Sequence, residues 1–379
     1  MLKITSLSRF LKIGSVQFIS QLLNFITLFF LGNIIENEMF SSFFYIRLGL
    51  IISIEFTRFS FEKSIIKKEQ LLITLFHFLL VIALTIYYYL EISLFSSLYI
   101  FFSFLFSLYY LKEKVYYNYS KKINNYNKLD LIFNSTFSIL LAIFYITFDN
   151  ITLNSLLFLD ALRVFFSFIY SLKLGNNLQI KLTYKKSELT DIIQYSLNYF
   201  RNNPILVLNA FSANMQFKSI IILLNSLADL FRNRVIPVFQ IILFENYKNG
   251  SQLKRIAQII ILSIFFQTFL YIIPIHFKSF IINDFEKYQD YFLPILLNSI
   301  SLTIVNLVGV DLRFTYKNLI EIFYSFILIL SNLIVFSLTG FNLLYIKFAI
   351  IINFIIPIIT IYVIKKIKKQ NSTEKTRWI

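Results

Sequence analysis

Long apolar blocks, one after another and each about twenty residues, constrain this chain more than any other feature. Leu94–Leu111 and Asn318–Leu338 are two of them. At 1.5 Å per helical residue, a block of that length crosses a hydrocarbon core of about 30 Å. In lipid every backbone N–H and C=O must be satisfied within the segment, so these blocks must be helices. The blocks predict twelve spans at 10–31, 39–57, 71–90, 94–111, 129–148, 153–172, 192–213, 219–245, 256–276, 291–310, 318–338 and 343–364. The fold class expected is an all-α membrane protein of about twelve transmembrane helices, in two six-helix lobes around a central cavity.

Composition agrees. Of 379 residues, 57% are hydrophobic and only 15% charged, against about 25% charged in soluble domains. There is no cysteine, which removes disulfides, thiolate metal sites and thiol nucleophiles. The two histidines, His77 and His276, fall in different blocks and read as buried, hydrogen-bonded core residues. Residues 1–9 are basic and precede a run too long for a signal-peptide core, so the first span reads as retained.

The net charge of +16 sits in short connections, so it orients the chain in a membrane and points to no nucleic acid. With the N-terminus inside, the inner segments hold 27 of the 36 Lys and Arg and the outer segments hold 3. This is a strong positive-inside asymmetry. It predicts both termini in the cytoplasm; heavy use of Ile, Phe, Asn, Lys and Tyr with only 7 Gly suggests a low-GC bacterial genome, so the expected location is a bacterial cytoplasmic membrane. The expected organisation is an N-terminal lobe at 1–174, a cytoplasmic linker at 175–191, a C-terminal lobe at 192–364 and a basic tail at 365–379. No connection is long enough to hold an extramembrane catalytic domain.

Polar residues at membrane depth carry the functional information. With 100° between successive residues, Gln17, Ser20, Gln21 and Asn24 share one face of the first span. Asn198, Arg201, Asn202 and Asn209 do so in the seventh, and Asn225, Asp229 and Arg232 in the eighth. Asp160 and Arg163 align in the sixth. An arginine facing lipid at the bilayer centre costs about 2.5–3.5 kcal/mol, so Arg47, Arg163, Arg201, Arg232 and Arg234 must face the protein interior or a cavity. Asp160–Arg163 and Asp229–Arg232 are i,i+3 pairs, read either as insertion aids or as coupling groups. Arg47, Arg201 and Arg234 have no partner on their own helix. Counting these five arginines against Asp160 and Asp229 leaves an interior excess of three positive charges. That suits an anionic ligand, and phosphate matches arginine geometry best. Pro237 after Arg234, and Asn202-Asn203-Pro204, mark interruptions of the kind transporters place near a substrate path, or ordinary proline kinks.

The stretch FLKIGSVQFISQLLNFITLFFLGNIIENEMFSSFFYIRLGLIISIEF carries Gly14, Ser20, Gln21 and Asn24, a short acidic turn before Met39-Phe40, and Arg47 in the second span. It resembles the start of lipid-linked oligosaccharide flippases of the multidrug/oligosaccharidyl-lipid/polysaccharide exporter superfamily. The resemblance implies that spans one, two, seven and eight line a central cavity. It also implies transport of an undecaprenyl-diphosphate-linked repeat unit to the outer leaflet, for O-antigen, capsule or exopolysaccharide. Arg47 and Arg201, then Arg232 and Arg234, would hold the diphosphate, with Gln17, Gln21, Asn24, Asn198, Asn202, Asn209 and Asn225 lining the cavity. No cofactor is implied. Coupling to H⁺, Na⁺ or membrane potential would fall to Asp160 and Asp229, and polysaccharide polymerase or assembly proteins would be partners. Two other classes compete. A glycan polymerase or ligase needs a sizeable outer loop, which is absent here. An exporter of small cations should favour interior carboxylates over arginines, while other lipid-linked cargo stays open.

Overall fold

The computed structural model describes residues 30–66, 71–119, 123–148, 150–175, 180–183, 188–209, 285–315 and 318–375, with scattered positions in 16–28 and 218–271. Among the described residues the fold is helical apart from one small sheet. The helices are α1 (Asn37–Ile66), α2 (Leu75–Glu91), α3 (Leu94–Tyr119), α4 (Ile123–Thr147), α5 (Leu153–Leu174), α6 (Glu188–Asn202), α7 (Pro204–Asn209), α8 (Phe285–Thr315), α9 (Asn318–Thr339) and α10 (Leu343–Lys375). Seven of them, α1, α3, α4, α5, α8, α9 and α10, are long and apolar enough to cross a membrane. The second predicted span is therefore α1, and the sixth is α5.

Two expectations need correction. The third span does not begin as a helix at residue 71: Leu71–Thr74 is strand β1, and α2 starts at Leu75. β1 pairs in parallel with β2 (Ile180–Thr183), Leu71 opposite Ile180 and Thr74 opposite Thr183. The linker after α5 thus contributes a strand. The pairing requires the α1–α2 and α5–α6 connections to lie at the same end of the bundle, as the alternation of spans demands. The seventh span, predicted as one element at 192–213, is divided at the interruption that Asn202-Asn203-Pro204 marked. Pro204 lacks an amide proton and biases Asn203 away from helical geometry, so α6 stops at Asn202 and α7 begins at Pro204.

The chain forms two compact units. The first comprises Met1–Ser196, Asn214–Leu223 and Pro237–Ile242; the second comprises Leu197–Ala213, Leu224–Ile236 and Leu243–Ile379. In the first, α3 is the hub, packing on α1, α2, α4 and α5. Gly49 lets α2 approach α1, because a Cβ there would lie 2.7 Å from the Tyr88 ring. The Tyr88 hydroxyl donates to the Tyr45 carbonyl at 2.7 Å. α5 starts at a capping box, with Thr152 accepting from the Ser155 amide and Ser155 reaching back. In the second unit α8 is the inner helix: 72% of its span is buried, against 22% for α9 and α10. Its sequence explains this, since Asn298, Ser299, Ser301 and Thr303 are all buried and too polar to face lipid. Gly340, at φ 66°, makes the turn into α10, and the Asn342 side chain caps that helix by accepting from the Tyr345 amide at 3.0 Å.

Several hydroxyls inside the spans are satisfied by their own helices. Ser53 donates to the Gly49 carbonyl, Thr57 to Ser53 and Ser167 to Arg163, each one turn back. Large apolar side chains such as Leu90, Ile146 and Leu338 point outward, as lipid contact requires. His77 is buried; His276 lies outside the described residues.

Candidate functional site

In the first unit, α1, α3, α4 and α5 converge on Asp160. This carboxylate is fully buried. Arg163, one turn along α5, donates from Nη2 to Oδ2 at 3.0 Å and stands 2.9 Å from Oδ1. The predicted i,i+3 pair is therefore made. From α3 the Tyr99 hydroxyl donates to Oδ2 at 2.5 Å. From α1, Arg47 brings Nε to 3.7 Å from Oδ1. Arg47 had no partner on its own helix; its partner comes from another one.

Depth follows from helix rise. Arg47 is ten residues into α1 and Arg163 ten residues into α5, about 15 Å from those ends, which is the middle of a bilayer core. Aromatic faces line the rest of the cluster. The Arg163 guanidinium sits 4.2 Å from the Phe133 centroid. Arg47 lies 5.7–5.9 Å from Phe43, Phe44 and Phe137. Cation–π contacts of this kind stabilise a charge without neutralising it.

The two arginines differ. Arg163 is fixed by an ion pair, a hydrogen bond and a close ring. Arg47 is 7% exposed, and its Nε makes no hydrogen bond among the described residues. Two guanidiniums share one carboxylate, so the cluster is net positive by one charge. Buried ions of that kind are costly unless a counter-charge joins them.

A second polar cluster fastens the first span to α4. Lys114 pairs with Asp130 at 2.6 Å and donates to the Tyr110 hydroxyl at 3.0 Å. Ser20 donates to Asp130 at 3.3 Å and accepts from Asn134 at 2.6 Å. One member of the first-span stripe is thus used for packing within its own unit. Gln17, Gln21 and Asn24 lie outside the described residues.

In the second unit, Arg201 ends α6. It stands 3.6 Å from Glu321 of α9 and donates from Nη1 to Ser325 at 2.8 Å. Its Nε donates to Asn202 at 3.2 Å. Ser325 in turn donates to Asn198 at 3.3 Å. Three stripe residues of the seventh span, Asn198, Arg201 and Asn202, are thus brought together. Asn209 and Asn225 are buried too. Asp229, Arg232 and Arg234 lie outside the described residues. Elsewhere in this unit Asn332 donates to Asn353 at 3.4 Å, and Asn353 to Asn298 at 3.3 Å, an amide chain across α8, α9 and α10.

The sequence pointed to neither Tyr99 nor Glu321. Tyr99 is one tyrosine among 24, and nothing local marks it. Glu321 is a carboxylate near the start of the eleventh span, and nothing local marks Arg201 as its partner.

No family model matches the sequence, and no characterised protein matches it either. The fold does match solved structures. A MATE protein in complex with MaD5 aligns over 96% of both chains at 13% identity, with a TM-score of 0.59. A MATE in the bent conformation aligns over 96% of this chain and 94% of its own, at 12% identity and 0.58. A mutant of the Vibrio cholerae MATE transporter VcmN aligns over 97% and 98%, at 13% and 0.55. MATE denotes multidrug and toxic compound extrusion. The chain has the fold of these multi-pass membrane transporters across nearly its whole length.

Proposed function

We propose that this chain is a membrane exporter that flips an undecaprenyl-diphosphate-linked oligosaccharide from the inner to the outer leaflet of a bacterial cytoplasmic membrane, by alternating access. The observation that carries the reading is Arg47. It is a mid-depth arginine whose Nε makes no hydrogen bond among the described residues, beside a carboxylate already held by Arg163 and Tyr99. A diphosphate supplies the missing counter-charge, and its oxygens accept the guanidinium donors in pairs. Arg163 then holds Asp160 back while Arg47 swings between Asp160 and the phosphate. Protonation of Asp160 is one route to couple that exchange to the H⁺ gradient; Na⁺ and membrane potential are the other sources of drive. Polysaccharide polymerase and assembly proteins are the partners such a flippase serves.

A second reading, export of another cargo, draws support from the carboxylates. Asp130, Asp160 and Glu321 are all buried, and organic cations bind interior carboxylates. Equilibrium binding to the purified protein separates the two. Undecaprenyl diphosphate should bind the wild type and bind Arg47→Ala at least tenfold more weakly. Undiminished lipid binding by Arg47→Ala removes the site assignment. Tight binding of organic cations with no lipid binding replaces the flippase with a cation exporter.

A further inference from the structure

Arg201 occupies an unusual place. Its guanidinium lies directly against the backbone of Gly309 in α8. A methyl group at 309 would sit 2.5 Å from Nη1 and 2.7 Å from Cζ and Nη2. Only glycine leaves that slot open. Around the slot stand the Glu321 carboxylate, the Ser325 hydroxyl and the Asn202 amide oxygen, and the Tyr324 ring centroid is 5.7 Å from Cζ. Arg201 is also in the last turn of α6, where the helix end carries partial negative charge and favours a cation. Glu321 is fully buried, where a carboxylate is costly unless a cation stands beside it.

We infer that Arg201 is a tethered cation: its guanidinium fills an oxygen-lined, glycine-floored seat formed by α6, α8 and α9, and it serves as the built-in counter-ion of Glu321 instead of a ligand for anionic cargo. The seat suits a guanidinium, which lies where a Cβ on residue 309 would leave no room and reaches the oxygens of Glu321, Ser325 and Asn202 at once. A phosphate in the same place would stand beside the Glu321 carboxylate and be repelled. The assignment does not depend on the flippase reading. It separates Arg201 from Arg47, two arginines that the sequence grouped together.

Chemical rescue tests it on the purified full-length protein. Arg201→Ala should lower the melting temperature, and millimolar guanidinium chloride should recover at least half of that loss, while potassium chloride at equal ionic strength recovers none. Adding Glu321→Gln to Arg201→Ala should restore melting and abolish the guanidinium response, since no charge then needs neutralising. Arg201→Lys keeps the charge but not the plane, and should melt between the wild type and Arg201→Ala. If Arg201→Ala does not fold, Gly309→Ala is the alternative variant. It pushes the guanidinium off its floor, so it should lower melting in the wild type and have less effect when Glu321→Gln is also present. Three results overturn the inference. One is an Arg201→Ala protein that melts like the wild type. Another is an equal Gly309→Ala effect with and without Glu321→Gln. The third is stabilisation of the wild type by inorganic pyrophosphate that Arg201→Lys abolishes, which makes Arg201 an anion ligand.

Discussion

Asp160 and Arg163, one turn apart on α5, meet at 2.9 Å with the carboxylate fully enclosed. That pair anchors the polar centre of the first unit, and its loss has unequal consequences on the two sides. Removing one member of a buried pair costs about 3–5 kcal/mol, because the other charge is left behind. Asp160→Ala strands both Arg163 and Arg47, so it should destabilise most. Arg47→Ala leaves the Asp160–Arg163 pair whole, so it should destabilise least. Melting temperatures of the purified variants give the order, and an Arg47→Ala protein less stable than Asp160→Ala contradicts it.

Tyr99 supports the same carboxylate from α3. A hydrogen bond to a charged group contributes about 1.5–3 kcal/mol. Tyr99→Phe, which keeps the ring and loses only the 2.5 Å contact, should cost an amount in that range. A Tyr99→Phe, Asp160→Asn double variant should show non-additivity, since both changes act on one contact.

Gly49 is expected to tolerate no side chain while Tyr88 is present. Its Cβ would press on the Tyr88 ring at 2.7 Å, and overpacking of this kind costs about 1–3 kcal/mol. Gly49→Ala should therefore lower stability, and Tyr88→Ala should relieve the clash but forfeit the bond to the Tyr45 carbonyl. Equal Gly49→Ala effects with and without Tyr88 would locate the strain elsewhere.

The amide chain through Asn298, Asn353 and Asn332 ties three helices at mid-membrane depth. Interhelical polar contacts in membrane proteins average about 0.6 kcal/mol in double-mutant cycles. A cycle on Asn332→Ala and Asn353→Ala should return a coupling of that size. Zero coupling would reduce the 3.4 Å contact to proximity alone.

The absence of cysteine makes orientation directly testable. Single cysteines at exposed Asn150 and Asn342, in the outer connections of the expected topology, should react with a membrane-impermeant maleimide in intact cells. One at exposed Asn124, at the inner end of α4 in that topology, should react only after permeabilisation. The opposite pattern reverses the topology.

The sequence alone determined where seven long apolar helices lie and that Asp160 pairs with Arg163. These follow from one-dimensional physics. Hydrocarbon thickness sets segment length, loop charge sets direction, and a 100° step places i,i+3 neighbours on one face. The same arithmetic has no term for contacts between helices. Only the tertiary structure decided that Arg47 reaches Asp160 of another helix, that Arg201 reaches Ser325, 124 residues away, and that Gly309 forms the floor beneath it. Strand β1 escaped for a related reason. Three apolar residues and a threonine at the head of a helical block look the same as helix until β2 is brought alongside. Membrane depth is written in the sequence because lipid acts on each segment separately. Partners are not written there, because they depend on which helices pack together.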